Sequence, residues 1–196
     1  LYQAARARFG TPWYEWPDEA LRRHEPAAVE RWRVELAEDV AFHAWMQQVF
    51  FAQWAELKAY VNGLGIRIIG DLPIYVSLDS ADVWAEREQF LLDKEGKPST
   101  VAGVPPAYFY EDGQLWGNPL YDWAALKQDG FSWWIRRVGG AARLFDAIRI
   151  DHFRGLESYW AIPADSKTAR VGQWEKGPGM DLLRVLTSWF SNITYI

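Results

Sequence analysis

Ala147-Ile148-Arg149-Ile150-Asp151-His152-Phe153-Arg154-Gly155 is the stretch that decides the fold. Ala147 to Asp151 reads as a short buried strand. Ile148 and Ile150 point one way, Arg149 and Asp151 the other, because successive side chains alternate across a strand. An arginine and a carboxylate therefore share one face near the strand's carboxyl end. His152, Phe153 and Arg154 follow at once, and Gly155 turns the chain. Charges at such a place are costly to desolvate unless paired or used. In α/β barrels and open α/β sheets the carboxyl ends of the strands carry the chemistry. The pattern by itself also fits a structural ion pair capping a strand.

A second run has the same character. Gly65-Ile66-Arg67-Ile68-Ile69-Gly70-Asp71-Leu72-Pro73-Ile74-Tyr75-Val76 is apolar, too short for a helix and flanked by glycines, so it reads as a buried parallel strand. It is expected to end at Gly70-Asp71, which sets another carboxylate at a strand end. Gly70 permits close backbone approach there. A turn or helix-cap role is the alternative for Asp71.

Helical segments surround these strands. Residues 1–8 read as a helix end, broken by Phe9-Gly10-Thr11-Pro12. Trp13, Trp16 and Pro17 form an aromatic link that suits packing better than ligand contact. Pro26 opens a long helical region, as proline does in a first turn. Phe42, Trp45, Met46, Val49, Trp54, Leu57 and Val61 recur at spacings of three to five, which predicts a helix face buried against a sheet. His43 beside it reads as structural. Asn62-Gly63 is the stop signal. Asp79-Ser80-Ala81-Asp82 is a turn-and-cap cluster, and residues 91–98 read as a hairpin with a polar tip. Residues 101–123, rich in Gly, Pro and aromatic rings, are expected to be an irregular loop forming an aromatic lid. A helix is expected over 124–144, an extended segment over 159–163, turns at Gly172-Gln173-Trp174 and Gly177-Pro178-Gly179, a helix over 180–190, and a final strand over 193–196.

The chain has 196 residues, 21 basic and 26 acidic, mixed along its length for a net charge of -5. That suffices for a proper hydrophobic core. No basic stripe marks a nucleic-acid partner, and no apolar run approaches the roughly 18 residues of a membrane span. There is no cysteine, which excludes disulfides and thiolate chemistry and suits a cytoplasmic protein. Thirteen Trp, nine Tyr and ten Phe are a heavy aromatic load. Aromatic faces stack on the apolar faces of sugars, so a glycan partner is favoured, although many rings must be core.

Taken together, Ile69-Gly70-Asp71-Leu72-Pro73-Ile74-Tyr75-Val76, Gly113-Gln114-Leu115-Trp116-Gly117-Asn118-Pro119-Leu120-Tyr121, Ile148 to Gly155 and Gly177-Pro178-Gly179 resemble the 4-α-glucanotransferases. These are the amylomaltases or disproportionating enzymes, relatives of the α-amylases. The resemblance runs in order over nearly the whole chain. It implies an α/β fold, part of a (β/α)₈ barrel of the α-amylase type. Residues 65–76 and 146–155 would be barrel strands with catalytic ends, 77–123 an inserted lid or subdomain, and 156–180 a second insertion. It implies Asp151 as nucleophile, with Arg149 holding it charged and oriented. It implies substrate binding by Asp71, His152, Trp116 and Asn118, an α-1,4-glucan or maltodextrin substrate, and no metal or organic cofactor.

A retaining mechanism also needs an acid/base about 5 to 5.5 Å from the nucleophile. The resemblance places that glutamate beyond Ile196, and neither Glu157 nor Glu175 is assigned the role. The chain is therefore expected to be an internal piece of the barrel, inactive alone and able to self-associate through unpaired strand edges. An amylase-type hydrolase and a non-catalytic glycan-binding module are the competing readings.

Overall fold

A computed structural model describes residues 1–196. The chain divides into two compact units. The first comprises residues 1–65 and 78–87; the second comprises 66–77 and 88–196.

The first unit is helical: α1 (Tyr2–Phe9), α2 (Glu19–Arg22), α3 (Pro26–Glu35), α4 (Ala37–Gly63) and α5 (Ala81–Ala85). Its core is aromatic. Trp13, Trp16, Leu21, Val83 and Trp84 are buried, and the Trp16 ring meets Tyr2 at 5.7 Å and Trp84 at 5.4 Å. The Trp13 and Trp16 link is thus packing. Two carboxylates organise the polar side. Asp18 accepts from the Leu21 amide to cap α2 and takes the Trp32 indole at 2.7 Å and Arg31 at 2.5 Å. Asp79 takes the Tyr2 hydroxyl at 2.6 Å, Arg6 at 2.9 Å and the Trp13 amide. Ser80 caps α5, as its cluster predicts.

The stripe expected on α4 is not buried against a sheet. The helix contacts α1 and α3, none of its residues is buried, and Phe42 and Trp45 are 54% and 58% exposed. Its apolar positions run round the helix, with Phe50 and Phe51 about 100° apart, so spacing alone does not define one covered side. The left-handed residue after it is Gly65, not Gly63.

In the second unit, β1 (Ile69–Pro73), β2 (Thr100–Val104), β3 (Gln114–Pro119), α6 (Trp123–Gln128), α7 (Ser132–Leu144), β4 (Ala147–Asp151), β5 (Ser158–Pro163), β6 (Gln173–Lys176), α8 (Met180–Trp189) and β7 (Thr194–Tyr195) form two sheets. β1, β4 and β7 lie side by side and parallel, in the order β1-β4-β7. Helices α7 and α8 precede β4 and β7, so the unit repeats strand and helix as barrels do. Burial alternates along β4: Ile148 and Ile150 face the core and Arg149 faces out. The last strand, expected over 193–196, pairs Tyr195 with Ile148.

Four expectations are corrected here. β1 starts at Ile69, so Asp71 sits in mid-strand rather than at its end. The preceding Ile68 is tied instead to Asp146, which takes the Ile68 amide at 2.7 Å and donates its own to the Ile68 carbonyl. Residues 101–123 are not an irregular loop. β2 and β3 form an antiparallel pair, β2 also pairs with β5, and β5 with β6, giving the order β3-β2-β5-β6. Gln173 and Trp174, expected in a turn, lie in β6. Pairing of β2 with β5 is remote in sequence, and no local pattern announces it. Finally, the helix expected over 124–144 breaks into α6 and α7, because Gly130 and Phe131 both take left-handed backbone. No helix is long and apolar enough to cross a membrane.

Candidate active site

Strand register builds the charged centre. Asp71 of β1 stands beside Arg149 of β4, and Pro73 beside Asp151. Asp71, Arg149 and Asp151 therefore project from one face of the parallel sheet. Arg149 Nη1 donates to Asp71 Oδ1 at 2.6 Å, and Nη2 donates to Asp151 Oδ1 at 2.6 Å. One planar guanidinium thus fixes two carboxylates, which a lysine could not do with this geometry. Its hydrogen bonds to Asp71 and then to Asp151, with their charges, push the Arg149 guanidinium above its ordinary range. The three side chains are 56%, 50% and 48% exposed, so a solute can reach the carboxylates.

His152 follows β4 with φ 55°, ψ 44°, a left-handed conformation that few non-glycine residues adopt. Gly155 makes room for this turn: a Cβ there would lie 3.0 Å from the His152 ring and 2.9 Å from Ile74. The imidazole stands edge-on to Trp116 with centroids 4.8 Å apart, and 6.5 Å from Tyr75. Burial lowers its pKa below the ordinary value, with the Asp151 charge opposing. A neutral imidazole both donates and accepts, which suits a hydroxyl partner. The Trp116 indole donates to Gln114 at 2.9 Å and remains partly exposed.

Five of the six expected site residues, Asp71, Trp116, Arg149, Asp151 and His152, meet in this cluster. Asn118 has a bracing contact: its amide donates to the Val76 carbonyl at 2.9 Å. Glu157 and Glu175 accept from Ser158 and Gln173 at the β5–β6 pair. Sequence reasoning passes over Tyr75, whose ring packs against Trp116, His152 and Tyr121. Its signal is position, two residues past Pro73. Burial pushes its hydroxyl well above the ordinary phenol range.

Parallel strands alternating with helices, with an Asp–Arg–Asp bridge on one sheet face, define an α/β protein with part of an α-amylase-like (β/α)₈ barrel. Residues 1–196 match the family model for 4-alpha-glucanotransferase, glycoside hydrolase family 77, and the chain belongs to that family. It is 54% identical over 194 residues to a 4-alpha-glucanotransferase of Thermus thermophilus, covering 98% of this chain and 39% of that one. To the 4-alpha-glucanotransferase of Aquifex aeolicus it is 48% identical over 196 residues, covering 100% of this chain and 40% of that one. The amylomaltase from Streptococcus agalactiae, solved in complex with acarbose, superposes with a TM-score of 0.94 at 42% identity, covering 99% of this chain and 39% of that one. The chain thus spans about two fifths of the length of these relatives.

Proposed function

We propose that this chain carries the nucleophile side of a retaining 4-α-glucanotransferase site, acting on α-1,4-glucans such as maltodextrins in starch or glycogen metabolism. The observation that carries the reading is the single guanidinium of Arg149 holding Asp71 and Asp151, next to the His152–Trp116 ring pair. Asp151 attacks the anomeric carbon; the glycosidic bond breaks, and a glycosyl-Asp151 ester forms through an oxocarbenium-like transition state. The 4-hydroxyl of a second sugar then takes the glycosyl group. Arg149 keeps the nucleophile oriented, Asp71 and His152 bind hydroxyls at the cleavage point, and Trp116 supplies a stacking face. Asn118 holds the backbone beneath them. Asp71 and Asp151 are given to binding and attack, and protonation of the leaving oxygen is assigned to no residue of this chain.

In this reading residues 65–76 and 146–155 are the barrel strands with catalytic ends, 77–123 an inserted lid region and 156–180 a second insertion. The exposed Tyr108 and Phe109 between β2 and β3 are its candidate water-excluding tip. The outer strands β1 and β7 of the parallel sheet are candidate edges for self-association, checked by sedimentation. A cytoplasmic location agrees with the absence of cysteine.

The test uses α-maltotriosyl fluoride, whose leaving group needs no acid. Attack by Asp151 breaks the C–F bond, and fluoride departs with the electron pair. Fluoride release and a maltotriosyl mass adduct on Asp151 are expected, both lost in Asp151→Asn. Equal release by Asp151→Asn overturns the assignment. Binding without release supports a glycan-binding module. With an added maltodextrin acceptor, longer chains mark transfer, and maltotriose alone marks a hydrolase.

A further inference from the structure

We infer that Arg137 is a positioning residue for the glucan site, acting through the backbone that carries Tyr75. Pairing of β1 with β4 ends at Pro73, yet residues 73–76 must hold their shape to present Tyr75 to the site. Carbonyls past the end of a ladder need other partners. Here they come from side chains. Arg137 Nη2 donates to the Pro73 carbonyl, and Nη1 donates to the Ile74 carbonyl at 3.1 Å. The Tyr121 hydroxyl donates to the same Ile74 carbonyl at 2.6 Å. Asn118 holds the Val76 carbonyl.

Arg137 is itself fixed. Its guanidinium lies 5.2 Å and 5.1 Å from the Trp133 and Trp134 ring centres, adjacent residues of the same helix, α7. Cation–π contact and a planar fork leave little freedom to lose. The chain of contacts runs from α7 to the β1 carbonyls, to the Tyr75 ring, and from there to Trp116 and His152. In the glucan reading only the last of these links faces the sugar. Arg137 thus sets the ring platform through the Pro73 and Ile74 carbonyls, with a guanidinium that takes no part in the charged centre.

This rests on the glucan reading of the site, so the experiment separates the two. Maltoheptaose binding to the whole chain is measured by calorimetry for wild type, Arg137→Met, Arg137→Lys, Tyr75→Ala and the Arg137→Met/Tyr75→Ala double variant, with a melting curve for each. Arg137→Met is expected to weaken binding about tenfold, the scale of losing charge-assisted hydrogen bonds. In the Tyr75→Ala background the same change is expected to alter affinity less than about twofold, because coupled positions are not additive. Arg137→Lys, a milder variant that retains the charge but not the fork, is expected to fall between. A purely structural arginine would lower the melting temperature and leave affinity unchanged, or weaken binding equally in both backgrounds; either result overturns the inference. Failure of wild type to bind maltoheptaose removes the glucan reading, and the inference with it.

Discussion

Asp71 and Arg149 stand opposite each other on neighbouring parallel strands and meet at 2.6 Å, and Arg149 reaches Asp151 on its own strand at the same distance. Arg149→Lys replaces a fork with a point charge and can no longer hold both carboxylates in one plane. Fluoride release from α-maltotriosyl fluoride is expected to fall by about 10²-fold, the scale of a small misplacement of a reacting group. The melting temperature is expected to change little, because exposed ion pairs add little stability.

His152 offers a proton-linked check. Burial lowers its pKa, while the negative charge of Asp151 raises it. An NMR titration is expected to give a midpoint below the ordinary value of about 6.5. Asp151→Asn removes the opposing charge and is expected to move that midpoint lower still. Because the folded value is depressed, His152 contributes stability that is present above the unfolded value and lost as pH falls through the folded one. His152→Gln is expected to flatten that part of the stability profile; a midpoint that rises in Asp151→Asn contradicts the geometry.

Gly70 is fixed by packing. A Cβ there would lie 2.0 to 2.5 Å from atoms of the Phe145 ring. Gly70→Ala is expected to destabilise the chain by about 1–3 kcal/mol, the range for overpacking. Much of that loss is expected to disappear when Phe145→Leu is added. Urea unfolding of the single and double variants measures both.

Asp18 ties α2 to α3. The Trp32 indole, the Leu21 amide and Arg31 hold its carboxyl below the usual range, against a smaller effect of burial. Its stabilisation is present above the unfolded carboxyl value and lost as pH falls through the lowered one. Asp18→Ala removes the cap and is expected to cost about 1 kcal/mol near neutral pH. The difference from wild type is expected to shrink on acidification, read by thermal melts across pH 3 to 7.

The parallel strands are legible because each is a short apolar run, and in β4 the side chains alternate: Ile148 and Ile150 inward, Arg149 outward. That local pattern also located Arg149 and Asp151 on one face. Asp71 is legible as a strand carboxylate, but its partner is not, since the register linking it to Arg149 is a tertiary fact. The four-stranded antiparallel sheet was missed for the same reason: Ala102 opposite Ala161 leaves no mark in either neighbourhood. Residues 129–131 hid the break between α6 and α7, because Phe131 takes left-handed backbone that its residue type disfavours. Arg137 escaped notice as one charge on a helix; only the carbonyls it serves give it a role.

The pairing of β2 with β5 has a consequence for synthesis. Thr100 and Pro163 are neighbours in the sheet yet about 60 residues apart in the chain. As the chain is made from its amino end, β2 and β3 emerge as a lone hairpin, which is marginal in water. They wait while α6, α7 and β4 appear. By the time β5 arrives to extend the sheet, Arg149 and Asp151 have already been made. The hairpin bearing Trp116 is thus made before the strand bearing Arg149 and Asp151, but the strand that flanks it in the sheet is made after them.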